Sequence, residues 1–407
     1  MPAPRHLVLI NTAANLVGML TGPVLALVLV PFYLRHLGLE SYGVIGFFTA
    51  LQLVLAVFSQ GMSMALQREV ARRLAVPEEA PGLRRLVRGF ELVYGGMAAL
   101  LALFIMLAAG WISREWLTVD ELDPGLVTTA LMLIAVRIAL AFPVGLYQAV
   151  FVGTQRQVLG NVVNVAGASL LAAAIIITVL NRPDLVALGA AEVAVGLVVL
   201  VTQRTVAFRI LPAEGSTTWC SPRDLIEQLR LSAGLVWTSG SGVLITQMDR
   251  LLVGKWFPVS SLAVYNAGTA GGRLISMLYT PFLTAVYPET CRVVRAGSPD
   301  DVARLLHRAA GLVAAVGASA GMFLCFFSGE VLLAWTGNER IALEGPAVMS
   351  IYVLGNVVHA HASVFYLVQT AQGSVRYPAW FNAFALAWYP PALLSLASRW
   401  GLAGAAA

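Results

Sequence analysis

Charge is scarce in this chain. Charged residues fill 12% of its 407 positions and hydrophobic residues fill 58%. Soluble domains carry about 25% charged residues, so this balance excludes a soluble globular domain and places the chain in a bilayer. Lysine is nearly missing: Lys255 stands alone beside 25 Arg, a bias of GC-rich bacterial genomes that carries no chemistry. The three cysteines, Cys220, Cys291 and Cys325, are odd in number and lie in or near apolar segments. They exclude a disulfide framework and a cysteine-based metal site. A net charge of +5 would suggest a nucleic-acid partner in a soluble protein. Here topology explains it better, and no nucleic acid is expected.

What the chain has is long apolar runs. The first, from about Leu7 to Leu34, is too long for the apolar region of a signal peptide and lacks a small-residue cleavage site. It reads as a first spanning helix with Pro23 and Pro31 inside it. About 20 apolar residues cross a bilayer. Eleven windows qualify, near 9–34, 42–66, 89–112, 125–151, 159–181, 186–203, 231–257, 261–287, 308–328, 345–371 and 379–398. The loops on one side, with the N-terminus, hold seventeen of the 26 basic residues, and those on the other hold six. Arg137, Arg250 and Arg273 lie inside the helices. By the positive-inside rule the N-terminus is cytoplasmic.

A step of 220 residues superimposes Arg35 on Lys255, Glu69 on Glu289, Arg72 on Arg292, Arg84 on Arg304, Arg88 on Arg308 and Arg156 on Arg376. Five basic-on-basic matches arise where chance gives about 0.8. Six helices per half return the chain to its starting side, so the repeat is parallel. The expected fold is an all-α polytopic membrane protein of two six-helix lobes, 1–203 and 231–407, joined by a cytoplasmic linker, 204–230. The repeat places a twelfth helix near 406–423, so it looks truncated at Ala407, with Gly401–Ala407 as its beginning. Ser221-Pro-Arg-Asp224 and Ser298-Pro-Asp-Asp301 are helix starts, with Ser as N-cap and Pro at the first helical position. Segment 221–230 reads equally as a short interfacial helix or as an extension of helix 7.

Pro31-Phe-Tyr-Leu-Arg-His-Leu-Gly38 is followed by Glu40-Ser-Tyr-Gly43 and by Gln60-Gly-Met-Ser-Met-Ala-Leu-Gln-Arg-Glu69. Then come Gly153-Thr-Gln-Arg156 with Asn161 and Asn164, and Gln247-Met-Asp-Arg-Leu-Leu-Val-Gly254 with Tyr265. In these motifs, across essentially the whole chain, the sequence resembles the polysaccharide transporters (O-antigen and exopolysaccharide repeat-unit flippases) of the multidrug/oligosaccharidyl-lipid/polysaccharide flippase superfamily. The missing twelfth helix is its one departure. The resemblance implies two bundles that alternately open a central cavity to the two sides of a bacterial inner membrane. The implied cargo is an undecaprenyl-diphosphate-linked oligosaccharide carried to the periplasmic leaflet, with a polysaccharide polymerase and a chain-length regulator as partners. It implies no covalent chemistry, no cofactor and no metal.

Such a cavity needs fixed cations near the midplane to hold a dehydrated diphosphate, and Arg suits this through its fork and permanent charge. Arg137 and Arg273 each sit about 12 residues into their helix, near mid-depth, with Arg250 as a third candidate. The competing role for each is a structural Arg bonded to backbone or to an acidic neighbour. Asp249 is expected to anchor Arg273 across neighbouring helices or to take part in coupling, and Glu192 to pair with an Arg or to couple transport to protons. Gln52, Gln60, Asn161 and Asn164 are candidates for sugar hydroxyls or for bonds between helices. His359 and His361, two apart on one helix, face different ways and suit packing or hydrogen bonding better than metal. Pro31, Pro143, Pro281, the Pro390–Pro391 pair and Gly240-Ser-Gly242 interrupt helices as hinges or static kinks.

Other functions fit less well. Drug/cation antiporters of the superfamily usually need an acid in the first helix, which is missing here, and three intramembrane Arg oppose a cationic cargo. Lipid II flippases usually have fourteen helices. A membrane polysaccharide polymerase or ligase typically needs a large periplasmic loop, and the loops on that side are short. A non-transporting scaffold for the assembly machinery stays open.

Overall fold

The computed structural model describes residues 5–74, 82–212, 240–372 and 376–407. Helices make up nearly all of its regular structure. Contacts divide the chain into two compact units, Met1–Gln247 and Met248–Ala407. The first holds α1 (Arg5–Leu37), α2 (Leu39–Leu74), α3 (Leu83–Trp111), α4 (Pro124–Ala141), α5 (Val144–Gly153), α6 (Gln157–Asn181) and α7 (Leu185–Ile210). The border falls inside α8, helical over 240–256. The second unit continues with α9 (Val259–Gly272), α10 (Leu274–Ala296), α11 (Pro299–Phe326), α12 (Ser328–Thr336), α13 (Glu339–Glu344), α14 (Pro346–Ala371) and α15 (Arg376–Ala406).

Eight helical stretches among the described residues are long and apolar enough to cross a membrane. The windows at 261–287 and 379–398 are helical but fall outside these eight. Arg273 divides the first, while Asn382, Pro390, Pro391 and several aromatic rings lower the hydropathy of the second. Window 231–257 lies partly outside the described residues, and Ser221–Asp224 and the expected interfacial segment 221–230 lie wholly outside them.

In the first unit α1 packs along α6, α2 along α5, α3 along α4, and α4 along α7. Side chains of α2, α3, α5 and α7 form a common core around Leu66, Phe90, Tyr94, Leu146 and Phe151. The Tyr94 hydroxyl would be an uncompensated polar group there, but it donates to the Ser59 carbonyl at 2.9 Å. In the second unit α11 packs along α14 and α10 along α14. Shifted by the repeat, these are the α3–α4 and α2–α5 pairings again.

Matched charges also recur in matched geometry. Glu69 holds Arg72 at 2.8 Å, and Glu289 holds Arg292 at 2.5 Å, both three residues apart. The expected start of α11 is present in full: Ser298 and Asp301 form a reciprocal capping box with Pro299 in the first turn.

Prolines break fewer helices than their number suggests. Among the described residues only the 125–151 window divides at a proline, into α4 and α5 at Phe142–Pro143. Helices α1, α10 and α15 run through Pro31, Pro281 and Pro390–Pro391, and Gly240–Gly242 is helical. The sharp turns use glycine instead. Gly38 takes φ +86° between α1 and α2, and Gly401 takes φ +59° inside α15, a region that L side chains rarely enter. Gly401 is where the repeat places the step from the eleventh to the twelfth helix. Beyond it, Gly404 packs directly on the Leu396 carbonyl.

Candidate functional site

Three predicted residues from three helices meet in the first unit. Arg137 of α4 sets its Nε 3.1 Å from Oε2 of Glu192 on α7, and its Nη1 donates to Oε1 of Gln52 on α2. The Arg137 and Glu192 side chains are 18% and 13% exposed, so the pair is largely buried without being sealed. Tyr33 of α1 is buried within electrostatic reach of both charges. The acidic neighbour expected of a structural Arg is therefore Glu192.

The amides divide. Asn164 is bonded between helices: its Oδ1 accepts from Gln148 Nε2 at 2.8 Å and Gln203 Nε2 at 2.9 Å. Gln148 also donates to Gln203 Oε1 at 3.0 Å, which closes a triad across α5, α6 and α7. Sequence reasoning missed Gln148 and Gln203; the available signal was a polar side chain inside an apolar window. Asn161 packs where Gly18 of α1 leaves room. Gln60 is exposed, with no side-chain hydrogen bond among the described residues.

In the second unit Asp249 and Arg250 of α8 are 3% and 4% exposed. As adjacent helical residues must, they take different partners. Tyr265 donates its hydroxyl to Asp249 Oδ2 at 2.7 Å, and Arg250 Nη2 donates to Thr269 Oγ1 at 3.0 Å. Asp249 makes no hydrogen bond to Arg273 among the described residues, although it lies within electrostatic reach of that guanidinium. Asp249 and Tyr265 lie equally far from the turn near Phe257, so the antiparallel register brings them together. Arg273 lies eight residues further on, about 12 Å along the axis. It sits between α9 and α10, with Arg250, Tyr352 of α14 and Asp249 within electrostatic reach of its guanidinium. Asp249 Oδ1 and Asn266 Nδ2 are buried without a hydrogen-bond partner among the described residues. His359 Nδ1 meets the Tyr279 hydroxyl at 2.8 Å, and His361 Nδ1 meets the Val357 carbonyl at 2.9 Å.

Other charges fasten the scaffold. Glu40, 4% exposed, accepts from the backbone N–H groups of Asp120, Glu121 and Leu122 at 2.5, 2.8 and 2.9 Å. It closes the loop between α3 and α4 onto the start of α2. Glu91 accepts from the Tyr147 hydroxyl at 2.7 Å and from Arg204 at 2.9 Å. Arg84 donates to the carbonyls of Phe208 and Leu211 at the end of α7. Bonds to a charged acceptor contribute about 1.5–3 kcal/mol each. Glu40→Ala is expected to speed hydrogen exchange at residues 120–122 by at least about tenfold, leaving the core of α3 unchanged. Exchange measured by mass spectrometry checks this.

A family model described as polysaccharide biosynthesis protein matches residues 8–293, and one described as MatE matches residues 241–390. No curated protein sequence matches the chain significantly. Among solved structures, the lipid II flippase MurJ in an inward closed conformation aligns with a TM-score of 0.75 at 13% identity, over 98% of this chain and 83% of that one. An inward-facing multidrug resistance MATE family transporter of the MOP superfamily gives 0.73 at 13% identity, over 96% and 92%. A MATE transporter from Vibrio cholerae gives 0.67 at 16% identity, over 98% and 91%. At these identities the likeness is one of fold.

Proposed function

The chain belongs to the polysaccharide biosynthesis protein family, within the MOP superfamily of membrane transporters, and we propose that it flips undecaprenyl-diphosphate-linked oligosaccharide repeat units from the cytoplasmic to the periplasmic leaflet. It would do so by alternating access in a bacterial inner membrane, with its N-terminus cytoplasmic and its product serving O-antigen or exopolysaccharide synthesis. The observation that carries this proposal is the Arg137 fork, a guanidinium inside an apolar helix unit, partly open and fixed from two sides. A fixed cation at that depth is expensive, and its cost is recovered when a diphosphate replaces its lost water. Arg250 and Arg273 supply the same chemistry in the second unit. Gln52, Gln60, Asn161 and Asn164 are the proposed sugar-side donors and acceptors, Asn164 with the least freedom.

Two relatives in fold offer other cargoes, lipid II and drugs. A cationic drug is disfavoured because α1 carries no acidic residue and the intramembrane charges are mostly Arg. Lipid II shares the polyprenyl diphosphate, so the sugar portion must decide between the two lipids. The test uses cells depleted of the protein. Lipid-linked repeat units are expected to accumulate where an added periplasmic glycosidase cannot reach them, while lipid II stays accessible. Accumulation of protected lipid II instead would transfer the assignment to that cargo, and no accumulation of either would reject flipping.

A further inference from the structure

The acids of the first unit are held in two ways. Glu40 has three backbone donors, Glu69 has Arg72 and Arg73, and Glu91 has Tyr147 and Arg204. Among the described residues Glu192 has one partner, Arg137, at 3.1 Å. Arg137 has a second contact in Gln52, so it keeps a hold on α2 when the carboxylate departs. The cation is anchored and its counter-anion is not.

From this asymmetry we infer that Glu192 is an internal counter-anion that occupies Arg137 until the cargo's diphosphate displaces it; the inference rests on the cargo proposed above. Carboxylate and phosphate oxygens compete for the same guanidinium fork. An empty cavity with a bare Arg at mid-depth would be costly to form, and one with no competitor would release a diphosphate slowly. An exchange of anions avoids both extremes, because the guanidinium is compensated before, during and after transport. Affinity for the cargo is then a difference between two ion pairs, which keeps it moderate and reversible. Glu192 contributes by positioning and releasing Arg137, without touching the cargo itself.

The test measures binding of farnesyl diphosphate to the full-length protein in detergent, with farnesol and inorganic diphosphate as separate arms. E192Q is expected to bind farnesyl diphosphate about tenfold more tightly than the native protein, or better. In an R137Q background the same change should have no effect, because Glu192 acts only through Arg137. Inorganic diphosphate alone should show the same direction if the headgroup is what competes, and farnesol should show none. A purely structural Glu192 would give unchanged or weaker binding in E192Q, which overturns the inference. Should E192Q fail to fold, E192D decides: its carboxylate falls about one bond short of Arg137 and should also tighten binding. Failure of the cargo assignment looks different. Tighter binding in E192Q, with normal surface polysaccharide in cells carrying R137Q, would keep the exchange and reject the cargo. Lost polysaccharide with unchanged binding would do the reverse.

Discussion

Arg137→Ala is expected to destabilise the first unit by about 3–5 kcal/mol and to abolish transport, and the two effects must be separated. The substitution leaves the largely buried Glu192 without its only partner among the described residues, and leaves Gln52 without its donor. Loss of polysaccharide in that variant would therefore prove little by itself. The informative variant removes both charges, Arg137→Met with Glu192→Leu. Replacing a buried ion pair by apolar side chains of similar volume is often neutral or stabilising. Thermal unfolding in detergent should then return to the native midpoint while transport stays absent. Native transport by the double variant would show that Arg137 only balances Glu192, and the cationic-cavity mechanism would fall. Arg273→Ala is the companion measurement. Among the described residues Arg273 has no carboxylate at ion-pair distance, only Tyr352 and Asp249 within electrostatic reach, so a smaller loss of stability should accompany the loss of transport.

The helices and the duplication were legible because both are written in local periodicity. Apolar runs mark the spans, and the 220-residue step recovers the Glu69–Arg72 and Glu289–Arg292 pairs. The cap at Ser298 was equally local. Breaks were harder to see. A proline removes one backbone bond whether or not a helix stops there, and packing decides the outcome, so Pro143 ends a helix where Pro281 does not. Contacts between distant segments were least visible. Arg137 meets Gln52, 85 residues away. No pattern in the intervening residues announces that contact. Asp249 shows how a hydrogen-bond partner can stay hidden: opposite charge suggested Arg273, which lies within electrostatic reach, whereas the register of the turn brings Tyr265 to hydrogen-bond distance. Only one member of the Gln148–Asn164–Gln203 triad was legible for the same reason, since one amide lay in a recognisable motif and two did not.

Membrane voltage should drive the proposed flipping strongly. One elementary charge crossing 100 mV gains about 2.3 kcal/mol. A diphosphate carrying about two negative charges, leaving an interior-negative cell, therefore gains roughly 4–5 kcal/mol, a bias above about 10³ between leaflets. The anion exchange at Arg137 makes this arithmetic simple. If Arg137 and Glu192 stay at mid-depth while the cargo passes, the protein's own charges do not cross the field, and the cargo's full charge does. In proteoliposomes with a potassium gradient and valinomycin, export of a fluorescent lipid-linked oligosaccharide should rise steeply with voltage and lose its direction at zero. Reversing the gradient should reverse the bias. Directional flux that persists at zero voltage would exclude the potential as sole driver. If that flux then followed an imposed proton or sodium gradient, Asp249 would be the acid to neutralise first, since its Oδ1 is buried without a hydrogen-bond partner among the described residues.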